Sequence, residues 1–197
     1  MSKSKLHLGC GNHILPGYVN VDAAQLPGVD VVHDLCVFPW PFEREQFEEV
    51  IAVDVLEHLP DTIRTMEELF RITEPGGRVH IRVPYFNAWD ASYDPTHVRS
   101  FNENSFDFFD PKMEVHQTRS YYASVRFSII TVGFLIYPFG RTLLLIDNRK
   151  LDPFIILPPP YDRPIVHSRL LKKFYMHAAH KFGNMIRALH VTLERLP

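Results

Sequence analysis

KLHLGCGNHILPGYVNVDAAQLPGVDVVHDL, residues 5–35, decides how the rest of the chain is read. An apolar run through Leu6 and Leu8 breaks into Gly9-Cys10-Gly11. A second run, from Tyr18, ends on Asp22, and a third, from Val29, ends on Asp34. Three short β-rich runs, each stopped by a glycine or an acid, predict parallel strands with their C-terminal ends in one row. In open α/β sheets ligands bind outside those ends, where the strand order reverses. Gly9 and Gly11 carry no Cβ, so the backbone there can turn sharply and come close to a ligand. Asp22 can accept both hydroxyls of a ribose. Asp34 beside Leu35 offers one acceptor next to an apolar wall, which suits an adenine. The loop has neither GxGxxG nor GxxxxGK[ST], so a nucleoside without phosphates fits it better than a nucleotide.

LHLGCGN, VNVD and VVHDL resemble the first, ribose-binding and adenine-side motifs of class I S-adenosylmethionine-dependent methyltransferases of the small methyltransferase type. Further on, FEEVIAVDVLEHL and ELFRITEPGGRVHIRVPY resemble the fourth- and fifth-strand motifs of the same family. The resemblance runs from Lys5 to about Phe109 and touches the last strand loosely. It implies an α/β fold, a doubly wound, Rossmann-like, seven-stranded and mostly parallel sheet with an antiparallel last strand. It also implies S-adenosylmethionine as cofactor, held by Leu8, Gly9, Cys10, Gly11, Asp22, Ala23, Asp34, Leu35 and Asp54. One departure stands out: the usual third glycine is missing, and six residues separate Gly11 from Tyr18. The helix that normally follows this loop must be cut to a turn.

The 197 residues make a single domain of ordinary size, with 46% hydrophobic and 22% charged residues, both globular values. A net charge of −2 argues against a dominant polyanion-binding surface. Two cysteines, Cys10 and Cys36, are too few for a disulfide framework and favour a reducing compartment. The first strand follows the N-terminus with no room for a signal peptide, so the expected location is cytoplasmic, with peripheral membrane contact as an option.

Pro39 and Pro41 predict an extended turn after the third strand, and residues 42–49 a short helix packing Phe42 and Phe47. Residues 50–53 read as a buried strand ending on Asp54. Asp61 is placed to cap a helix over 62–73, stopped by Pro75-Gly76-Gly77, and 79–83 is the fifth strand. A polar, aromatic loop opens at Tyr85, and residues 104–109 predict a short helix. Residues 123–137 read as a long sixth strand. The apolar stretch 127–146 is interrupted by Arg141, carries Gly133 and Pro138 and lacks 18 uninterrupted apolar residues, so it reads as a strand running into a buried turn rather than a membrane span. Residues 187–196 alternate like the last strand, which leaves 138–186 as a helical insertion or lid within the single domain 1–197. In it LPPPYDRP is a stiff spacer. Residues 168–187 have helical period, with Leu170, Phe174, Ala178, Phe182 and Met185 on one face. That face packs over the active site or on a second subunit, giving a homodimer, or lies in a membrane interface.

Asp54-Val55-Leu56-Glu57-His58 places acids at i and i+3 and an imidazole at i+4, which project to one side if the chain turns helical after the strand. Two carboxylates and an imidazole suit a divalent cation, magnesium or manganese. Asp94 to Phe101 brings His97 above the same sheet edge. Together the two pieces resemble the metal site of magnesium-dependent O-methyltransferases that act on small-RNA ribose 2′-hydroxyls, and ubiquinone-pathway O-methyltransferases carry a similar acid-x-x-Glu-His run. The resemblance implies Asp54, Glu57, His58 and His97 as cation ligands, with His97, His58 and Asp54 as catalytic residues. The plainer alternative is that Glu57 and His58 cap the helix start or line the methionine end of the cofactor. Arg99 can hold an anionic part of the substrate or pair with Asp94. Tyr85 and Phe86, with Trp89 and Tyr93, can wall a sugar or ring.

Three functions compete. The first is O-methylation of a sugar, glycan or other small-molecule hydroxyl. The second is RNA ribose 2′-O-methylation, which needs a basic track with stacking aromatics that the sequence shows only in the insertion. The third is a non-catalytic nucleoside-binding subunit, which the retained Asp22 and GxG argue against. Nucleic acid is not the expected partner.

Overall fold

The computed structural model describes residues 4–136, 143–147, 165–166 and 168–197. The five strands β1 (Lys5–Leu8), β2 (Tyr18–Asp22), β3 (Val31–Val32), β4 (Phe47–Val53) and β5 (Thr73–Pro84) pair in parallel. The chain then makes β6 (Phe127–Ile136), β7 (Leu143–Asp147), β8 (Ile165–Val166) and β9 (Ile186–Arg195). The sheet order is β3-β2-β1-β4-β5-β9-β6-β7-β8, with β9 inserted antiparallel between β5 and β6. The first seven positions are the expected seven-stranded, mostly parallel sheet with its antiparallel last strand. β7 and β8, from the stretch read as an insertion, widen it to nine. The reversal of strand order falls between β1 and β4, so the loop after β1 and the end of β4 border one crevice.

No helix forms between Gly11 and Tyr18, as the short spacing requires. The longer helix of the first half, α1 (Thr62–Ile72), starts where Asp61 accepts from the Arg64 amide at 2.9 Å. Its Met66, Leu69 and Ile72 are fully buried in one core with Leu6, Leu8, Val50, Ala52, Val79, Ile81 and Val83. Each Leu, Ile, Val or Met among them contributes about 1.5–3 kcal/mol of burial. Those sheet residues lie on one face. The opposite face of β5 carries His80, Arg82 and Pro84, opposite Thr192, His190 and Ala188 of β9. That polar face borders the site.

Several expected elements differ. Residues 42–49 form no helix: Phe47 begins β4, and Phe42 and Phe47 meet edge to face with centroids 5.2 Å apart. The backbone there is bonded to the end of α1, with the Glu45 and Gln46 amides on the Arg71 and Ile72 carbonyls at 2.8 and 2.9 Å. The Arg71 guanidinium holds the Trp40 and Phe42 carbonyls. Those groups are thereby lost to an i→i+4 ladder. The expected helix at 104–109 is a single tight turn, Asp107–Phe109, followed by α3 (Glu114–Thr118). The sixth strand begins at Phe127 rather than 123. The late helix α4 (Arg169–Phe182) stops at Gly183, whose φ of 63° suits glycine, so Met185 lies outside it. Its inward face is also not the expected one. Tyr175, Ala178 and Ala179 are buried, whereas Leu170, Phe174 and Phe182 are 82%, 61% and 77% exposed. The LPPPYDRP spacer and the turn after Pro138 lie outside the described residues. No described helix is long and apolar enough to cross a membrane.

Candidate active site

The loop after β1 is built around two glycines in the left-handed region, φ 59° at Gly9 and 50° at Gly11. A Cβ on Gly9 would stand 2.4 Å from Val55 Cγ2, so only glycine lets this loop lie against the end of β4. The Gly11 amide donates to Asp22 Oδ2 at 2.8 Å and the Ala24 amide to Asp22 Oδ1 at 2.9 Å. The buried Cys10 donates its amide to the Val21 carbonyl. Asp22 thus ties the glycine loop to the end of β2 and keeps spare lone pairs on both oxygens. Asp34 closes the turn after β3 by accepting the Cys36 amide at 2.9 Å, and the Leu35 side chain is buried beside it. Leu8, Gly9, Cys10, Gly11, Asp22, Ala23, Asp34 and Leu35 therefore occupy one row of strand ends. Asp54, with φ 53°, adjoins them.

Beyond Asp54 a cavity of about 370 Å³ opens over the polar face of β5 and β9. Asp54, Glu57, His58 and His97 all line it, together with Arg82 and Tyr93. α2 (Trp89–Tyr93) and the following loop form one wall. That loop is pinned to the tight turn Leu56–His58, since the Val98 and Arg99 amides donate to the Glu57 carbonyl at 2.8 and 3.1 Å. The pin sets the imidazoles of His58 and His97 edge to face, with centroids 4.7 Å apart.

The hydrogen bonds determine which ring nitrogens are available. Thr96 donates its hydroxyl proton to Asp94 Oδ1 at 2.6 Å, so toward His58 Nδ1, 2.9 Å away, it can only accept. His97 Nδ1 lies 3.2 Å from the Ala91 carbonyl, which also only accepts. Both imidazoles therefore carry Nδ1–H and keep a lone pair on Nε2. His97 Nε2 lies 4.0 Å from Glu57 Oε1. Glu57 itself is 1% exposed, and neither carboxylate oxygen has a hydrogen-bond partner among the described residues. Burial, helped by the charges of Asp54 and Asp94, pushes its carboxyl from the ordinary 4.5 up to about 8, against the opposing pull of its own nearby backbone amide and of Arg82.

One ligand atom each from Glu57, His58 and His97 falls within 4.8 Å of the others, which is a donor set for one cation. Asp54, the fourth expected ligand, turns its carboxylate to the Arg82 guanidinium instead. Tyr85 is not brought to the cavity. It is fully buried and donates to Glu103 at 2.6 Å, on the apolar face with Ile81 and Val83. Arg99 donates to the Pro60 carbonyl and meets neither Asp94 nor the cavity. Phe86 packs on Tyr85 and His180, while Tyr93, stacked on Trp89 at 4.5 Å, takes the wall position. Sequence reasoning missed Arg82 and Arg187, whose partners Asp54 and Asp90 also line the cavity. The alternation His80-Arg82-Pro84 on β5 was the available signal for Arg82.

A glycine loop after the first strand, an acid ending the second and a sheet with its last strand reversed between the fifth and sixth define an S-adenosylmethionine-dependent methyltransferase of class I. The methyltransferase-domain family model matches residues 2–123, and the chain belongs to that family. No curated protein matches the chain. Among solved structures it is similar to a SAM-dependent methyltransferase from Archaeoglobus fulgidus. The TM-score is 0.55 at 13% identity, over 97% of this chain and 85% of that one. It is similar also to the YcgJ protein of Bacillus subtilis, with a TM-score of 0.52 at 15% identity, covering 98% and 92% of the two chains. A possible histamine N-methyltransferase from Thermotoga maritima aligns with a TM-score of 0.54 at 11% identity, over 98% and 81%. At these identities the likeness is one of fold.

Proposed function

We propose that this methyltransferase acts on a hydroxyl of a sugar, glycan or other small molecule seated in the cavity beside Asp54. The observation that carries the reading is the convergence of two imidazole Nε2 lone pairs and the unpartnered Glu57 carboxyl on that cavity. A hydroxyl attacking a methyl group must lose its proton. His97, fixed by Ala91, offers Nε2 to take it, and Glu57 stands beside the imidazolium that forms. Asp22 and the Gly9–Gly11 backbone hold the ribose and methionine side of S-adenosylmethionine, which supplies an electrophilic methyl on a sulfonium. Tyr93 and the paired Arg82 and Arg187 shape the acceptor end. Because both arginines are matched by Asp54 and Asp90, the wall has no uncompensated basic track, which favours a neutral hydroxyl compound over RNA.

The same three residues fit a divalent cation, since a buried carboxylate and two imidazoles with fixed tautomers are a competent donor set. A cation there would lower the pKa of an acceptor hydroxyl bound to it. Glu57, His58 and His97 would hold it, with Asp54 kept back by Arg82.

Calorimetry and a labelled-methyl assay over a panel of sugars and glycans test the reading. His97→Ala should leave cofactor affinity unchanged and lower turnover about 100-fold or more. Full turnover in that variant would remove His97 from the reaction.

A further inference from the structure

α4 presents two stripes. Leu171, Tyr175, Ala178 and Ala179 face the core, and the outward stripe at the i, i+3, i+4 spacing is Leu170, Lys173, Phe174, His177 and Lys181. A helix that had only to cover a core would keep that outer stripe polar, yet Leu170 and Phe174 are among the most exposed apolar side chains described. Phe182 adds a third at the end of the helix. The charge is lopsided as well. The helix itself, residues 169–182, holds four of the 21 lysines and arginines and none of the 23 acids, leaving 17 against 23, or −6, on the rest of the chain.

The end of the helix is joined to the cavity wall. Asn87 Nδ2 donates to the Ala179 carbonyl at 2.7 Å, the Asn184 amide to the Asn87 carbonyl at 3.2 Å, and the Trp89 amide to Asn184 Oδ1. Arg187 pairs with Asp90. Trp89 and Tyr93, stacked and 58% and 69% exposed, add apolar surface beside the end of the helix and at the cavity, which Tyr93 lines.

We propose that α4 and the Trp89–Tyr93 pair dock the protein on an anionic lipid bilayer. Leu170, Phe174 and Phe182 enter the headgroup boundary, Lys173 and Lys181 meet lipid phosphates, and the stacked aromatics lie at the interface beside the cavity mouth. Charge complementarity selects this occupant. An acidic body with one basic, apolar helix orients that helix toward a negative surface and holds the remainder away.

Flotation of the full chain with vesicles tests the surface without any turnover, so its failure is separate from failure of the catalytic reading. Vesicles of phosphatidylcholine and phosphatidylglycerol in equal parts should bind the protein, less so as salt rises, and phosphatidylcholine alone should bind it weakly. The pair Lys173→Gln with Lys181→Gln should weaken partitioning about thirtyfold. Leu170→Glu with Phe174→Glu should weaken it at least as much. Both pairs lie at exposed positions, so the thermal midpoint and cofactor affinity should hold. Equal binding to both vesicle types, or variants that bind as the parent does, would overturn the proposal. So would a dimer in solution that Phe174→Glu converts to monomer, which would assign this face to a second copy.

Discussion

Replacing Glu57 by glutamine probes the electrostatics of the site most directly. In chelator-treated protein the carboxyl titrates near 8 when folded and near its ordinary 4.5 when unfolded. Between those values the folded state holds a proton that the unfolded state has released, so stability falls as pH rises. The contribution is fully present below pH 4.5 and is lost through about pH 8. An interval of about 3.5 pH units corresponds to about 5 kcal/mol at its limit, and to about 3 kcal/mol between pH 5 and pH 8. Glutamine has no such proton. The parent should therefore lose stability relative to Glu57→Gln by that amount over the range. In a chain of this size that is roughly 6 to 12 °C in thermal midpoint. Chemical denaturation of both proteins at the two pH values, in chelator, measures the difference. A stability gap between parent and variant that is the same at pH 5 and pH 8 would refute the reasoning, because the carboxyl would then be solvated or already paired. Added manganese should reverse the sign at pH 8, stabilising the parent and leaving the variant unchanged.

Asp22→Ala should abolish measurable cofactor binding by calorimetry. It should also cost about 1–3 kcal/mol, because the Gly11 and Ala24 amides lose their acceptor. The melt should stay cooperative, and unchanged affinity would remove Asp22 from the ribose. Thr96→Val removes the hydroxyl that holds His58 Nδ1–H, so turnover should fall about tenfold or more while Thr96→Ser retains it, as assayed by methyl transfer. Equal rates in both variants would show that the tautomer of His58 is not set there.

The row of strand ends was legible because its signals are local. A run of apolar residues, a glycine that permits positive φ and an acid at a strand end are properties of neighbouring positions, and the missing helix after Gly11 followed from spacing alone. Glu57, His58 and His97 were legible for a similar reason: two adjacent residues on one turn, and a third in a loop bound to end above the same sheet edge. Even the burial of Tyr85 had a local sign, since Ile81, Val83 and Tyr85 alternate onto one face.

What remained was decided by partners distant in sequence. Asp54 turns from Glu57, His58 and His97 to Arg82 because the parallel register sets Val53 opposite Arg82 across β4 and β5. Phe42 and Phe47 could pack along one short helix, but the end of α1 already engages the backbone of Glu45 and Gln46. On α4 the stripes through Leu170 and through Leu171 both carry large apolar side chains, and helical period cannot choose between them. The core buries Tyr175 and Ala179, covers Leu171 in part, and leaves Leu170 and Phe174 in water. Sequence by itself therefore determined the parallel strands of the first half, the row of their ends and the residue types of the site. Tertiary structure alone decided which charges neutralise one another and which apolar face stays exposed, because both depend on contacts that no local pattern specifies.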